Sequence, residues 1–409
     1  MLDIGPSSTR DDIDTAVRAW VDHHLPRAWR EAGDAGGAAA VRTVRSRADY
    51  EAWYPVFGAS GLVAPTWPVP YGGLELSPAQ ARLVDAELAP YNLGRLNPLG
   101  LTNTASALFA HGTEAQKARF LPPIVCNTEV WCQLFSEPGA GSDLASLACR
   151  ATRDGDEWVV TGQKVWTTWA HLADFAILLA RTDPSVPKRA GITYFLIDLH
   201  QPGVEIRALR HIGGEVDFNE VFLDGARVPD AWRVGAIGDG WRVAGATLSG
   251  ERQMVSGSDS GGIGRIGGGG VQRLLHPGLA PVARDRLMRL YSEERIRGWT
   301  NQRVRAGARA GRATGPESSI GKVHQGDLNQ RIQLAATDLL GLGALAWPVG
   351  ASWEESLPYA VRGMLRSRAN TIEGGTTEVN KNILGERVLG LPREPDPWHG
   401  VAWGDVPRS

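Results

Sequence analysis

The chain has 409 residues and a formal net charge of -2, and 43% of its residues are hydrophobic. This length allows a large buried core and predicts two or three domains of about 100–200 residues each, whereas the near-neutral charge gives no electrostatic reason to expect binding to nucleic acid or an anionic membrane surface. No apolar run reaches the roughly 20 residues of a membrane helix, and the three cysteines have no zinc-site spacing, so we expect neither a membrane span nor a metal centre.

The N-terminal residues lack the basic start and apolar core of a secretory signal. Three cysteines cannot all pair, and free thiols are typical of a reducing compartment. The sequence therefore predicts a cytoplasmic protein.

The first third of the chain has the pattern of helices. Residues 12–25 place apolar side chains at helical spacing, whereas residues 31–46 are rich in Gly, Ala and Arg and predict a loop. A capping-box pattern at residues 113–116 begins another helix, which we expect Pro122 and Pro123 to end. Three further helices are predicted, at 48–60, 77–89 and 96–111.

The middle of the chain, from residue 129 to about residue 244, has the pattern of strands. Short runs rich in β-branched and aromatic residues alternate with turn signals such as Asp-Gly. The runs are 157–161, 175–180, 191–197 and 221–223. They predict a β domain.

Helical patterns return in the last third, at 284–306, 319–340 and 376–389. Before them, residues 256–270 are rich in glycine, and each glycine costs a helix about 1 kcal/mol relative to alanine. The segment lacks the Gly-Lys-Ser/Thr ending of a Walker loop and matches no dinucleotide fingerprint. A mobile loop or a loosened helix is therefore favoured over a phosphate site.

Four segments resemble motifs of the acyl-CoA dehydrogenase family and occur in the family's order. They are WCQLFSEPGAGSD (131–143), GQKVWTT (162–168), FNEVFLDGARVP (218–229), and TIEGGTTE (371–378) followed by LGLP (389–392). The resemblance spans most of the chain and implies an α+β fold in three parts. These are an N-terminal α-helical domain (1–125), a middle β-barrel or sandwich domain (126–243) and a C-terminal four-helix-bundle domain (244–409).

The resemblance implies FAD as the cofactor. It places Ser136 at the pyrimidine edge of the flavin, Thr168 near N5 and O4, and Trp166 against the ring. Ser142 reaches the pyrophosphate. The other residues implied in cofactor binding are Gln133, Phe135, Gly141, Thr376 and Glu378.

Each of these assignments has a structural alternative. Trp166 could be a core residue of a strand, Ser142 a turn cap and Thr168 an ordinary strand threonine. Thr376 and Glu378 begin a predicted helix, where amides and the helix dipole favour an anion, but N-capping alone would also explain Thr376.

The catalytic base is where the sequence departs from the commonest family pattern. Oxidation of an acyl thioester needs a carboxylate that removes the α-proton while the β-hydride passes to the flavin. Many members carry this glutamate at the position that Gly374 occupies here. A second group, which includes isovaleryl- and long-chain acyl-CoA dehydrogenases, places it before an arginine, as in LSGER (248–252). Glu251 is thus the predicted base and Arg252 a substrate-binding residue.

Two alternatives to Glu251 as the base stay open. A glutamate at this position could be favoured by a helix dipole or by a neighbouring charge. Glu373, one residue before Gly374, is the competing base.

A second departure concerns the pyrophosphate side of FAD. No Arg-x-x-Phe-Gly segment occurs between residues 257 and 301, where many members have one. This resembles a subgroup of actinobacterial members, some of which form α2β2 assemblies with a related subunit. Either Arg265, Arg284 or Arg286 replaces the missing clamp, or a partner supplies it.

The leading hypothesis is an FAD-dependent acyl-CoA dehydrogenase that forms the trans-2-enoyl-CoA and passes electrons to an electron-transfer flavoprotein. The family implies a homo-oligomer, either a dimer or a tetramer, or the α2β2 assembly. Gly257, Gly261 and Gly262, beside the predicted base, indicate room for a bulky acyl group. The alternatives are a non-catalytic subunit that completes a partner's flavin site, and an oxygen-using oxidase or hydroxylase.

Overall fold

The structure is a computed structural model that describes residues 2–256, 270–310, 315–346 and 357–407. Within these residues, helices form both ends of the chain and an eight-stranded sheet lies between them. The predicted α+β class and the order helical, β, helical are confirmed. None of the helices in the described ranges is long and apolar enough to cross a membrane.

The N-terminal part, residues 2–126, folds into α-helices, and the first four surround an apolar core that includes Trp20, Tyr54 and Phe57. Most buried residues of the other two, such as Leu108 and Phe120, belong to a second core that they share with the sheet. Capping boxes begin four of the helices, because a hydroxyl at the N-cap accepts a hydrogen bond from the N3 amide while the N3 side chain accepts one from the N-cap amide. The helices are α1 (Arg10–His24), α2 (Arg27–Val44), α3 (Arg47–Gly58), α4 (Pro78–Leu88), α5 (Ala105–His111) and α6 (Glu114–Cys126).

The prediction of a loop over residues 31–46 is wrong. Helix α2 extends to Val44, with one kink where Gly37 has a φ of 63°. The small residues permit close packing, since a Cβ on Gly33 would lie 2.5 Å from the ring of Tyr91. Composition alone did not reveal that contact.

The prediction that Pro122 and Pro123 end a helix is also wrong, because α6 continues through both to Cys126. A proline inside a helix costs about 3 kcal/mol. Burial of Leu121 and Ile124, both fully buried, offsets that cost.

The middle part is a mixed sheet with strand order β6-β7-β3-β2-β4-β5-β8, and β1 pairs with β4 in parallel. Every residue of β4 is buried, so helices and other strands cover both of its faces. The strands are β1 (Trp131–Leu134), β2 (Arg150–Asp154), β3 (Glu157–Thr168), β4 (Phe175–Arg181), β5 (Ile192–Asp198), β6 (Val204–Leu209), β7 (Phe218–Pro229) and β8 (Arg233–Val234).

The C-terminal part is helical, and α8 and α9 pack through a core that contains Leu287, Leu290, Leu328 and Ile332. The glycine-rich stretch 257–269, predicted to be a mobile loop, lies outside the described residues. The described helices are α7 (Gly240–Ser256), α8 (Pro281–Arg309), α9 (Ser318–Leu339), α10 (Tyr359–Arg366) and α11 (Thr377–Arg387).

Candidate functional site

The two segments predicted to contact the flavin lie side by side. The Val165 N–H donates to the Ser136 carbonyl at 2.9 Å. Directly next to this bond, the fully buried Lys164 ammonium donates to Glu137 Oε1 at 2.8 Å. It also donates to the carbonyls of Phe135 at 3.1 Å and Leu179 at 2.8 Å, so all three of its N–H donors are used. The ion pair thus ties both segments to the sheet.

Glu137 also shapes the turn that follows it. Its backbone pairs with that of Ala140, which closes a tight turn. Its carboxylate accepts hydrogen bonds from the amides of Ala148 at 2.6 Å and Cys149 at 2.9 Å. The intervening chain is therefore folded back on itself, and Gly141 and Ser142 are exposed at its outer end.

Trp166 lies at a bulge in β3. The register with β7 shifts between Lys164 and Thr167, so that one extra residue is accommodated on β3. Trp166 takes a φ of 60°, a conformation rare for a bulky residue. Its indole is 56% exposed and packs edge-on against Phe218 at a centroid distance of 5.7 Å. The alternative that Trp166 is a core residue is therefore excluded.

The donors and acceptors expected at a flavin edge are available in this region. Among the residues that the structure describes, none hydrogen-bonds to the hydroxyls of Ser136, Ser142 or Thr168. Together with the exposed indole of Trp166, they fit the polar edge and apolar face of an isoalloxazine ring.

The two remaining residues of the first segment act differently from Ser136. The Gln133 side chain is engaged, because its Oε1 accepts from Asn103 Nδ2 at 2.8 Å. Phe135 is 3% exposed and packs edge-on against Tyr194 at 6.0 Å. The Gln133 side-chain oxygen and the Phe135 ring thus have partners within the chain.

Helix α7, which carries Glu251, is attached to the β sheet one turn before that residue. The hydroxyls of Thr247 and Tyr194 lie 2.9 Å apart, and both residues are fully buried. Position 251 follows Thr247 by four residues, on the same helix face. The side chains of Glu251 and Arg252 lie outside the described part of the structure.

The competing base, Glu373, is already engaged by two donors. Arg366 Nη2 lies 2.9 Å from Glu373 Oε2, and Asn370 Nδ2 donates to Oε1 at 3.0 Å. Both oxygens of this carboxylate are therefore already engaged as hydrogen-bond acceptors. The two glycines that follow it, Gly374 and Gly375, have φ values of 64° and 89°.

Thr376 is the N-cap of α11, because its hydroxyl accepts from the Val379 amide at 3.1 Å. Glu378 lies in the first turn of this helix. The structure therefore shows the capping role of Thr376. A role of either residue in cofactor binding stays a prediction.

The candidates for the missing pyrophosphate clamp differ in their surroundings. Arg286 pairs with Asp338 at 2.6 Å, whereas Arg284 is exposed. Arg265 lies outside the described residues. Next to Ser142 in the sequence, Asp143 pairs with Lys188 of the β4–β5 loop at 2.8 Å. Partial burial acts to raise the pKa of Asp143, but the hydrogen bonds from Lys188 and Ser146 outweigh it and hold the pKa below its ordinary value.

Metal-ligating side chains and thiols can also be located within the described residues. Within them, no group of three or more His, Cys, Asp or Glu could hold a metal ion. Cys132 and Cys149 are buried, and burial raises the pKa of Cys149 to about 11, so this thiol is not a ready nucleophile.

Sequence reasoning missed several residues that build the site. Lys164 and Glu137 were the strongest omission, although a lysine within the apolar pattern of β3 is an identifiable signal for a buried pair. Asn103 carried no such signal, and Phe218 was noted only as part of the 218–229 motif, because both reach the site through the packing of separate elements.

Sequence models of one family match three successive stretches of the chain. They are described as the acyl-CoA dehydrogenase N-terminal domain (residues 7–127), middle domain (132–226) and C-terminal domain (238–389).

Two curated relatives come from Mycobacterium tuberculosis (strain ATCC 25618 / H37Rv). Acyl-CoA dehydrogenase FadE34 is 41% identical over 338 residues, which cover 82% of this chain but only 45% of that relative. The chain therefore spans less than half the length of FadE34. Acyl-CoA dehydrogenase IpdE1 is 37% identical over 397 residues, which cover 94% of this chain and 98% of IpdE1.

A solved structure described as "Tcur3481-Tcur3483 steroid ACAD" has a similar fold. The TM-score is 0.72 at 26% sequence identity, and the match covers 94% of this chain and 98% of that chain.

Proposed function

The chain belongs to the acyl-CoA dehydrogenase family of flavoproteins, oxidoreductases that act on CH–CH bonds, and from this premise we propose that it binds FAD and converts an acyl-CoA thioester to the trans-2-enoyl-CoA. The observation that carries the proposal is the 2.9 Å hydrogen bond from the Val165 amide to the Ser136 carbonyl. It brings the two flavin-motif segments together on one surface. The unpaired hydroxyls and exposed indole described above lie on these segments.

The chain's own residues would hold the cofactor as follows. Ser136 and Thr168 supply hydroxyl groups at the polar edge of the ring, and Trp166 covers part of its face. Ser142, with Gly141, lies where the chain is exposed after the Glu137 turn, and would contact the pyrophosphate. FAD, when bound, supplies the hydride acceptor at flavin N5.

We propose Glu251 as the base that takes the α-proton of the thioester. Thr247 holds the preceding turn of α7 against Tyr194, and Tyr194 packs on Phe135, beside Ser136. Position 251 follows Thr247 by four residues in the same helix, and it belongs to the LSGER stretch that resembles the second position of the base in this family. Glu373 is disfavoured because Arg366 and Asn370 already bind its two oxygens. Arg252, next to Glu251, would border the substrate.

The substrate class and partner follow from relatives and are part of the proposal. The description of one similar structure pairs two proteins and names a steroid ACAD. We therefore propose a bulky, ring-containing acyl-CoA as substrate and an assembly with copies of this chain or with a related subunit. An electron-transfer flavoprotein would reoxidise the flavin in the cytoplasm.

The test is the visible spectrum of the purified chain, followed by anaerobic addition of acyl-CoA thioesters. Bound flavin that is bleached more readily by a ring-containing acyl-CoA than by butyryl-CoA supports the proposal. Bound flavin that no acyl-CoA bleaches would reject dehydrogenation. Peroxide release without an added acceptor would point instead to an oxidase.

A chain that binds no flavin would favour the structural-subunit alternative. Mixing it with a related subunit and measuring flavin per assembly then decides between the two roles. A catalytic chain would contribute Glu251 to turnover in that assembly, and a structural one would not. Titration with Glu251→Gln chain in the same assembly distinguishes these outcomes.

A further inference from the structure

The C-terminal tail returns from the helical part to the β sheet. After α11, the tail packs against the loop that joins β4 to β5. Ala402 pairs with Pro187 as an antiparallel bridge, and the Trp403 N–H donates to the Val186 carbonyl at 2.9 Å. The Gly404 N–H donates to the Pro184 carbonyl at 2.8 Å. This attachment follows residue 389, where the match to the family's C-terminal domain ends.

Trp403 covers one particular side chain, the last residue of β4. The guanidinium carbon of Arg181 lies 4.1 Å from the centre of the Trp403 ring, which is a cation–π distance. Trp403 is 8% exposed and Arg181 2% exposed. The Trp403 ring therefore keeps water away from the Arg181 guanidinium. The hydrogen bonds of Arg181 are stronger because they lie in this water-free environment.

Arg181 in turn fastens the segment that follows Ser142. Its Nη2 donates to the Ala145 carbonyl at 2.7 Å and its Nε to the Leu147 carbonyl at 3.0 Å. Its Nη1 donates to the Lys188 carbonyl at 3.0 Å. One side chain thus joins the 145–147 segment to the β4–β5 loop.

A second bond connects the same loop to the cofactor segment. The Lys188 ammonium pairs with Asp143, the residue after Ser142, at 2.8 Å. Asp143 also accepts from the Ser146 hydroxyl at 2.5 Å. The tail, the β4–β5 loop and the segment from Ser142 to Leu147 therefore form one continuous set of contacts.

We infer that Trp403 is a positioning residue for the cofactor, which acts through Arg181 to hold the Ser142 segment in the shape that receives the pyrophosphate. The inference rests on the proposed binding of FAD. Trp403 packs on Arg181, and its effect on the cofactor segment passes through the three carbonyls that Arg181 binds. The contacts of the tail with Arg181 also replace part of the missing Arg-x-x-Phe-Gly clamp, because they order the Ser142 side of the pyrophosphate site from within the same chain.

The experiment compares the full-length wild-type chain with Trp403→Ala, Trp403→Phe and Trp398→Ala. Trp398 lies in the same tail but is 43% exposed, which makes its variant the matched control. Phenylalanine keeps an aromatic face over Arg181. Two quantities are measured: hydrogen exchange of the Ser146 and Leu147 amides in the apo-protein, and FAD affinity by quenching of flavin fluorescence.

We expect Trp403→Ala to raise both the exchange rates of the two amides and the FAD dissociation constant by about tenfold. Trp403→Phe should restore most of the affinity, and Trp398→Ala should match the wild type. Unchanged exchange in Trp403→Ala would overturn the inference. Faster exchange with unchanged FAD affinity would overturn it too, because the tail would then stabilise the loop without positioning the cofactor.

Two further outcomes are separable. If Trp403→Ala does not fold, Trp403→Leu replaces it, since leucine keeps apolar bulk but offers no π face; affinity equal to that of Trp403→Phe would then overturn the inference. If the wild-type chain binds no FAD, either alone or in an assembly with a related subunit, the proposed function fails, whereas exchange at Ser146 and Leu147 still shows whether Trp403 holds the segment.

Discussion

The Lys164 ammonium and the Glu137 carboxylate form an ion pair of 2.8 Å, with side chains that are 0% and 8% exposed. Each partner makes further hydrogen bonds, to the carbonyls of Phe135 and Leu179 and to the amides of Ala148 and Cys149. Buried charges are tolerated only with such complete pairing. The pair therefore fixes the relative position of β3 and the segment after β1.

Replacement of Lys164 by methionine should lower the free energy of unfolding by about 3–5 kcal/mol, because Glu137 is left as an unpaired buried charge. Urea unfolding at neutral pH measures the loss. The double variant Glu137→Gln/Lys164→Met should recover part of it, since no unpaired charge remains. Lys188→Met, which removes a more exposed partner from Asp143, is the control and should cost below about 1 kcal/mol. Equal losses in the two lysine variants would contradict the prediction.

Replacing the two candidate bases, Glu251 and Glu373, should have opposite effects on turnover. Glu251→Gln should lower kcat by about 10²–10⁴-fold, the usual contribution of a positioned general base, and should leave flavin binding intact. Glu373→Gln should retain turnover, because its carboxylate serves the contacts with Arg366 and Asn370. Stopped-flow reduction of the flavin by substrate measures both.

The matching control for these variants is flavin content, read from the visible spectrum. Turnover that survives in Glu251→Gln would remove Glu251 as the base. Loss of reduction in a Glu373→Gln chain that still holds its flavin would assign the role to Glu373.

Local patterns predicted most of the elements that surround the site. The apolar run of β4 and the Thr113 cap of α6 are decided by nearest neighbours in sequence, so they were recognised in advance. Helix α2 could not, because its glycines matter through contact with Tyr91.

The site shows the same division. The segments that carry Ser136 and Trp166 were identified from their residues. The exposure of the Trp166 side chain, by contrast, depends on the register shift between β3 and β7. The Lys164 pair depends on the meeting of β3 with the segment after β1. Contacts between separate elements carry little local signal, which is why Asn103 and Trp403 were also missed.

Alanine is normally more stabilising than glycine within a strand, but the backbone conformation of Trp166 reverses that order. Its φ of 60° costs a residue with a Cβ roughly 1–2 kcal/mol, and glycine avoids this cost. Trp166→Gly should therefore be more stable than Trp166→Ala by about 1 kcal/mol in urea unfolding, although glycine normally weakens a strand. An alanine variant as stable as the glycine variant would show that the bulge relaxes.

The same pair of variants separates the backbone from the indole. Both remove the ring that packs on Phe218, so both should alter the flavin absorption spectrum to the same extent. A spectrum that changes only in Trp166→Ala would mean that backbone shape, rather than the ring, governs the cofactor's surroundings.

Asp230, at the end of β7, should make stability depend on pH. The hydrogen bonds from the Arg233 guanidinium, and then from the Trp158 indole N–H at 2.8 Å, hold the pKa of Asp230 at about 2, below its ordinary value of 3.8. A carboxyl group with a lowered pKa stabilises the fold above its unfolded-state pKa, and this contribution is lost as pH falls from about 3.8 toward about 2. Asp230→Asn should thus be less stable than the wild type by about 1 kcal/mol at pH 6, allowing for solvent screening. Urea unfolding of both chains at pH 6 and pH 3 tests this: the difference should shrink at pH 3, and a constant difference would show that the carboxylate charge contributes nothing.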